Sequence, residues 1–215
     1  SAISILWHKV EEKDWANSWK EHAKAIPTGE RLLILPSWIE DNPDLSRKII
    51  RMDPEMAFGS GSHETTRGCL EALERISDNG ALGSVLDMGT GSGILAIGAV
   101  LLGADTVTAV DNDPIAVETA FKNCKINKVE NNINLLQSST PPPGPFVAVV
   151  ANILAVVLVD IRDSLVGVLA PGGSLVLSGI LVEQADEVIN AYEKCGLVKV
   201  DTLPIGEWVT LVFTK

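Results

Sequence analysis

The chain has 215 residues, 46% apolar and 21% charged, which is the composition of a folded protein rather than a disordered one. Its formal net charge of −11 excludes broad binding to a phosphate backbone, which needs basic surface, and fits a basic protein partner or simple solubility. Cys69, Cys124 and Cys195 are an odd, widely spaced set with no CxxC pair, so neither a zinc site nor a disulfide framework is expected, and no metal site is assigned.

The start, Ser1 to Trp7, lacks the basic region and cleavage pattern of a signal peptide, and no apolar run reaches membrane-spanning length. A cytoplasmic protein with no membrane association and no direct nucleic-acid contact is expected, and a monomer. In chain order, Ile3–Leu6 reads as the tail of a strand. Glu11–Ala25 reads as a helix with Trp15 and Trp19 on one face. Pro27-Thr-Gly29 breaks the chain, Arg31–Leu35 and Ile49–Met52 read as strands, and Asp41–Asp44 as a loop. Ala57 to Thr66 holds two glycines and several hydroxyls ahead of a helix at about His63–Ile76, with Cys69, Leu70, Leu73 and Ile76 as its apolar stripe. Ser62 or Thr65 is the expected N-cap. One cap needs one hydroxyl and does not explain Gly59 and Gly61, so this stretch reads as a ligand-covering loop.

From Val85 the chain alternates. Strands are expected at Val85–Met88, Thr106–Val110, Ile133–Leu136, Val147–Ala151 and Leu175–Ser178, and helices at Ile94–Leu102, Pro114–Asn127, Val156–Leu169 and Val182–Cys195. Such alternation predicts an α/β fold, a mostly parallel seven-stranded sheet with helices on both faces. Val198–Thr202 and Trp208–Phe213 form a terminal hairpin that places the last strand antiparallel.

The organising stretch is Val85-Leu-Asp-Met-Gly-Thr-Gly-Ser-Gly93, a buried strand breaking into a glycine turn and then a helix. Gly89, Gly91 and Gly93 let backbone turn tightly and a ligand approach it, and the next helix aims its first N–H groups there. The spacing is G-x-G-x-G rather than the dinucleotide G-x-G-x-x-G, and Asp87 precedes it. A carboxylate there would repel pyrophosphate and attract the ammonium of S-adenosylmethionine. Asp111, at the tip of the next strand, lies where such folds place the acid for a ribose diol. That role is common to NAD and S-adenosylmethionine. Asp113 reads as a helix N-cap with Pro114 behind it. Asn152 ends the strand 147–151 at the same edge, either as a helix cap or as a contact to the cofactor or the methyl acceptor.

These motifs make the chain resemble class I S-adenosylmethionine-dependent methyltransferases. Asp53-Pro-Glu-Met-Ala-Phe-Gly-Ser-Gly-Ser-His-Glu-Thr-Thr66, Val150-Ala-Asn-Ile-Leu154, Leu177-Ser-Gly-Ile-Leu181, Gly206-Glu-Trp208 and Trp15-Ala-Asn-Ser-Trp-Lys20 sharpen the resemblance. They are similar to the bacterial methyltransferases of large-subunit ribosomal protein eleven, the PrmA family. The resemblance implies a Rossmann-like fold and methylation of lysine side chains and the terminal amine of that ribosomal protein. It implies Thr66, Gly89, Asp111 and Asn152 as cofactor contacts, with the loop through Phe58 and Gly59 to His63 closing over the methionine end. Adding Asp87, Gly91 and Gly93 completes the expected cofactor set, and Asn152 is the expected catalytic residue, orienting the amine. Residues 1–48 are expected to be a linker helix and extension, the remnant of a substrate-recognition domain. Residues 49–215 are expected to be the catalytic domain. A small-molecule or other protein amine acceptor is the alternative.

Overall fold

The computed structural model describes residues 25–39, 46–52, 63–80 and 82–215. The strand at Ile3–Leu6, the Trp15 helix, the Asp41–Asp44 loop, and Phe58 and Gly59 lie outside the described residues.

Among the described residues there are two sheets. The smaller holds β1 (Ile26–Thr28), β2 (Leu32–Pro36) and β3 (Lys48–Met52), with β1 antiparallel and β3 parallel to β2. β1 takes up the stretch expected only as a chain break. Pro27 is tolerated there because β1 is an edge strand. Residues 48 and 49, the expected domain division, both fall in β3, and β2 packs in the same apolar cluster as the main sheet through Leu32 and Ile34. The buried carboxylate of Glu74 ties the β1–β2 turn to helix α1 (Glu64–Asn79): its Oε1 accepts from the Glu30 and Arg31 N–H groups at 2.9 and 3.1 Å.

The larger sheet carries β4 (Ser84–Met88), β5 (Thr106–Asp111), β6 (Ile133–Gln137), β7 (Phe146–Asn152), β8 (Leu169–Leu181), β9 (Val198–Ile205) and β10 (Trp208–Thr214). Its order is β6-β5-β4-β7-β8-β10-β9. The first five strands run parallel, and β10 lies antiparallel to both β8 and β9, as expected of the terminal strand. The exposed Gly206 and Glu207 form its hairpin turn.

The alternation of the strands divides the interior in two. Val85, Val107, Ala109, Val150, Val176 and Val212 face one layer with α1 and α2 (Ile94–Leu102). Leu86, Val110, Val149, Leu175, Leu177 and Phe213 face the other, with α4 (Ala155–Asp160), α5 (Arg162–Val168) and α6 (Ala185–Glu193). Helix α3 (Pro114–Ile126) starts as expected, Asp113 capping it by accepting from the Ile115 N–H at 2.8 Å.

Two of the expected helices differ from expectation. The helix expected over 156–169 is broken at Ile161. The Arg162 guanidinium donates to the Val159 carbonyl at 2.7 Å, occupying an acceptor that continuous helix would offer to the backbone. Leu169 then opens β8 instead of closing a helix, because the Pro171-Gly-Gly173 approach pairs with the end of the neighbouring strand β10: Gly172 N–H donates to the Lys215 carbonyl and Lys215 N–H to the Gly173 carbonyl. The helix expected from Val182 begins as a 3₁₀ turn, with the Gln184 side chain accepting from the Leu181 N–H.

The strand order reverses between β4 and β7: β5 and β6 lie to one side, β8 to the other. The crevice outside the carboxyl ends of these two strands is where open α/β sheets bind ligands. Among the described residues no helix is long and apolar enough to cross a membrane.

Candidate active site

The glycine turn leaves β4 at that crevice. Gly89, Gly91 and Gly93 all have positive φ, 78°, 54° and 83°. Much of the turn's hydrogen bonding stays inside the protein. Gly89 and Thr90 N–H groups both donate to the Val110 carbonyl, at 2.8 and 2.9 Å. Gly93 N–H donates to Thr90 O, and Gly91 N–H to the Asp111 carboxylate, each at 2.9 Å. A phosphate-binding loop instead presents such groups to its ligand. This turn offers a shaped backbone surface without that anion cradle, and its residues 84–95 include no Lys or Arg.

Asp87 is fully buried beneath the turn. Its Oδ2 accepts from the Thr90 hydroxyl at 2.6 Å and from the Ala96 N–H at 3.1 Å, stitching the turn to the first turn of α2. One N–H expected to face the ligand is therefore aimed at Asp87. Its Oδ1 is buried with no partner among the described residues. Burial lifts this carboxyl to about 7, against the hydrogen bonds from Thr90 and Ala96, with a smaller upward push from the Asp111 charge.

Asp111 is half-buried at the tip of β5. It accepts from Gly91 N–H through Oδ2 and from Asp113 N–H through Oδ1, at 2.9 and 3.0 Å. Each carboxylate oxygen has further lone pairs, so the group is fixed in place and still able to accept.

The third wall joins residues far apart in sequence. Asn152 ends β7, and its Nδ2 lies 3.5 Å from Oγ1 of Thr66, which is buried in the first turn of α1. The N-cap of α1 is His63, neither of the expected Ser62 and Thr65: its Nδ1 accepts from the Thr65 N–H at 3.3 Å, and its ring meets Trp208 edge-on at 5.1 Å. The Gly206-Glu-Trp208 segment thus braces the start of the helix that carries Thr66.

The Asn152 tip is held by close packing around Ile153. A Cβ on Gly179 would lie 2.3 Å from the Ile153 carbonyl oxygen, and one on Gly89 2.5 Å from Ile153 Cγ2. Ile153 is wedged between the glycine turn and β8. The Leu177-Ser-Gly-Ile-Leu181 motif was the available signal, since Gly inside a strand marks close approach of another backbone. Beside it, buried Ser178 and Thr210 hydroxyls pair at 2.8 Å, and a Cβ on Gly68 of α1 would meet Thr210 Oγ1 at 2.3 Å. Cys69, next on α1, is buried. Burial pushes its thiol well above the ordinary range despite a hydrogen bond with Ser178, so it is a packing residue, not a nucleophile. Among the described residues no cluster of His, Cys, Asp and Glu is grouped to hold a metal ion.

Comparison with known proteins bears on the family and the fold. The family model of ribosomal protein L11 methyltransferase (PrmA) matches residues 1–215. A ribosomal protein L11 methyltransferase of Geobacter metallireducens is 45% identical over 204 residues, covering 95% of this chain and 67% of its own length. One of Trichlorobacter lovleyi is 46% identical over 209 residues, covering 95% and 68%. The crystal structure of a ribosomal protein L11 methylase from Lactobacillus delbrueckii subsp. bulgaricus superposes with a TM-score of 0.82 at 32% identity, over 89% of this chain and 98% of that one. The N-methyltransferase NodS of Bradyrhizobium japonicum, at 19% identity and a TM-score of 0.59 over 72% of this chain and 89% of its own, shares the fold. The sheet is thus that of a class I methyltransferase, and the chain belongs to the ribosomal protein L11 methyltransferase (PrmA) family.

Proposed function

We propose that this chain transfers methyl groups from S-adenosylmethionine to amines of ribosomal protein L11, lysine side chains and the terminal amine. The observation that carries the reading is the match to the PrmA family model along residues 1–215. The site supports it. Nothing on residues 84–95 is cationic, and Gly89, Thr90, Gly91 and Gly93 direct their N–H groups inward. That suits an adenosine ligand without phosphates and disfavours a dinucleotide. The partnerless Oδ1 of Asp87 is the buried atom that a cationic amino group, directly or through an ordered water, would satisfy.

S-adenosylmethionine, when bound, supplies a methyl group on a cationic sulfonium whose charge is neutralised on transfer. The chain's part is to position and desolvate. Asp111 accepts from the ribose hydroxyls, and the backbone of Gly89, Gly91 and Gly93 forms the floor. Thr66 and Asn152 form the facing wall, with Phe58 and Gly59 as the expected cover. A lysine amine titrates near 10.4 in water and must be neutral to attack. The apolar crevice beside Ile153 favours the neutral form, and the proton leaves to water. Thr66 Oγ1, close to the Asn152 amide nitrogen, leaves the Asn152 carbonyl oxygen to orient the amine.

The test is transfer of labelled methyl from S-adenosylmethionine to recombinant L11. No label on L11, from protein that binds the cofactor, sinks the reading. Asp111→Ala removes an acceptor of both ribose hydroxyls and frees two backbone N–H groups. The cofactor dissociation constant is expected to rise about 100-fold, some 3 kcal/mol for two hydrogen bonds. An unchanged constant by calorimetry would remove Asp111 from the site.

A further inference from the structure

We propose that the apolar, acid-rimmed edge formed where β7 and β8 exit the sheet docks a lysine-bearing segment of the protein substrate. This rests on the protein-methylation reading above and adds where the substrate is gripped. Leu154, Val156 and Val182 are 66%, 64% and 54% exposed. Leu154 caps α4, Val156 lies in its first turn, and Val182 opens the 3₁₀ turn after β8. β7 and β8 are parallel neighbours with Asn152 opposite Ser178, and Gly179 lies against the Ile153 carbonyl. The two exits therefore adjoin, at the same edge as Asn152.

The charged side chains that follow these exits most closely are acidic. Between residues 146 and 161 the only charged side chain is Asp160. After β8, Glu183 lies in the 3₁₀ turn and Asp186 in the first turn of α6, while Arg162 and Lys194 line a separate hollow with Glu187. Exposed Glu207 joins them, its carbonyl accepting from the Val182 N–H at 3.0 Å.

A surface that is apolar at its centre and anionic at its rim complements lysine itself. The four-carbon stem lies along Leu and Val while the ammonium reaches a carboxylate. Lysines flanking the acceptor engage the rim, and the acceptor amine enters beside Asn152. A phosphate-rich partner is repelled by the same rim. A second copy of this chain, packed on the same face by two-fold symmetry, would set acid against acid.

The experiment uses the full chain with recombinant L11 and labelled S-adenosylmethionine. Two variants carry exposed changes, Leu154→Ser with Val182→Ser, and Glu183→Lys with Asp186→Lys. Both are expected to raise KM for L11 tenfold or more, with kcat and the cofactor dissociation constant unchanged. The charge-reversed variant is also expected to lose much of the salt dependence of KM. Unchanged KM in both variants overturns the docking surface and leaves the methylation reading standing. So does a dimer of the unsubstituted chain in gel filtration that dissociates in the Leu154→Ser, Val182→Ser variant, which assigns the face to a second copy. If the unsubstituted chain binds cofactor but labels no L11, the methylation reading falls and this inference with it, a result visible before any variant is made.

Discussion

Replacing Asp87 with Asn is expected to raise the melting temperature at pH 8 while weakening the hold on S-adenosylmethionine. Asp87 is wholly buried, and burial lifts its carboxyl to about 7. The folded-state value lies above the unfolded one near 3.9, so the folded protein binds more protons between about pH 4 and 7. Stability therefore falls as pH rises through that window, and above it the folded protein carries the full penalty of a buried charge. Three pH units correspond to about 4 kcal/mol. Asn keeps the acceptor for Thr90 and Ala96 without the charge, and a gain of about 2 kcal/mol is expected, or some 4–8 °C for a domain of this size. The gain should shrink as pH falls from 7 toward 4, where the unsubstituted carboxyl is already neutral in the fold. Cofactor affinity of the unsubstituted protein should strengthen from about pH 6 to 8 as Asp87 ionises, and the Asn variant should lose that dependence. Thermal melts and calorimetry at pH 5 and 8 read both. A variant less stable at pH 8 would show that the charge does not oppose the fold.

Gly179→Ala is expected to reduce kcat about 100-fold and stability by about 2–3 kcal/mol. The φ of 81° alone costs roughly 1–2 kcal/mol for a residue with a side chain. The larger consequence is steric. The new methyl would lie 2.3, 2.8 and 3.1 Å from O, C and N of Ile153, all backbone atoms that cannot swing aside. The tip bearing Asn152 must move, and a displacement near 1 Å at a positioning group can cost 10²-fold in rate. Gly172→Ala is the control, with φ 73° and nothing within 4 Å of its Cβ. It should lose comparable conformational energy and keep its kcat. Equal kcat in both variants would show that Ile153 does not set the position of Asn152.

Much of this is legible in the chain alone. Three glycines in five residues after Val85-Leu86 mark the turn, and Pro114 after Asp113 marks the next helix. What escapes is the joining of distant parts. Thr66 and Asn152 each stand out locally, but only the packing of α1 across the sheet brings them together. The burial of Asp87 is half-legible. By strand alternation it shares the face of Val85, the face that α1 and α2 cover, yet an acid at a strand tip reads first as a ligand contact. The break at Ile161 has no Gly or Pro to announce it, because a guanidinium two turns into the helix makes it.

β10 inserts between β8 and β9, both of which precede it in the chain. While the protein is being synthesised, each of those strands leaves its inner edge unpaired until residues 208–214 emerge. Thr210 reaches Ser178, and Trp208 reaches His63, only at that stage. The candidate pocket is thus finished only after β10 has formed. A shortened chain ending before Trp208 should present sticky strand edges to chaperones rather than a partly active enzyme.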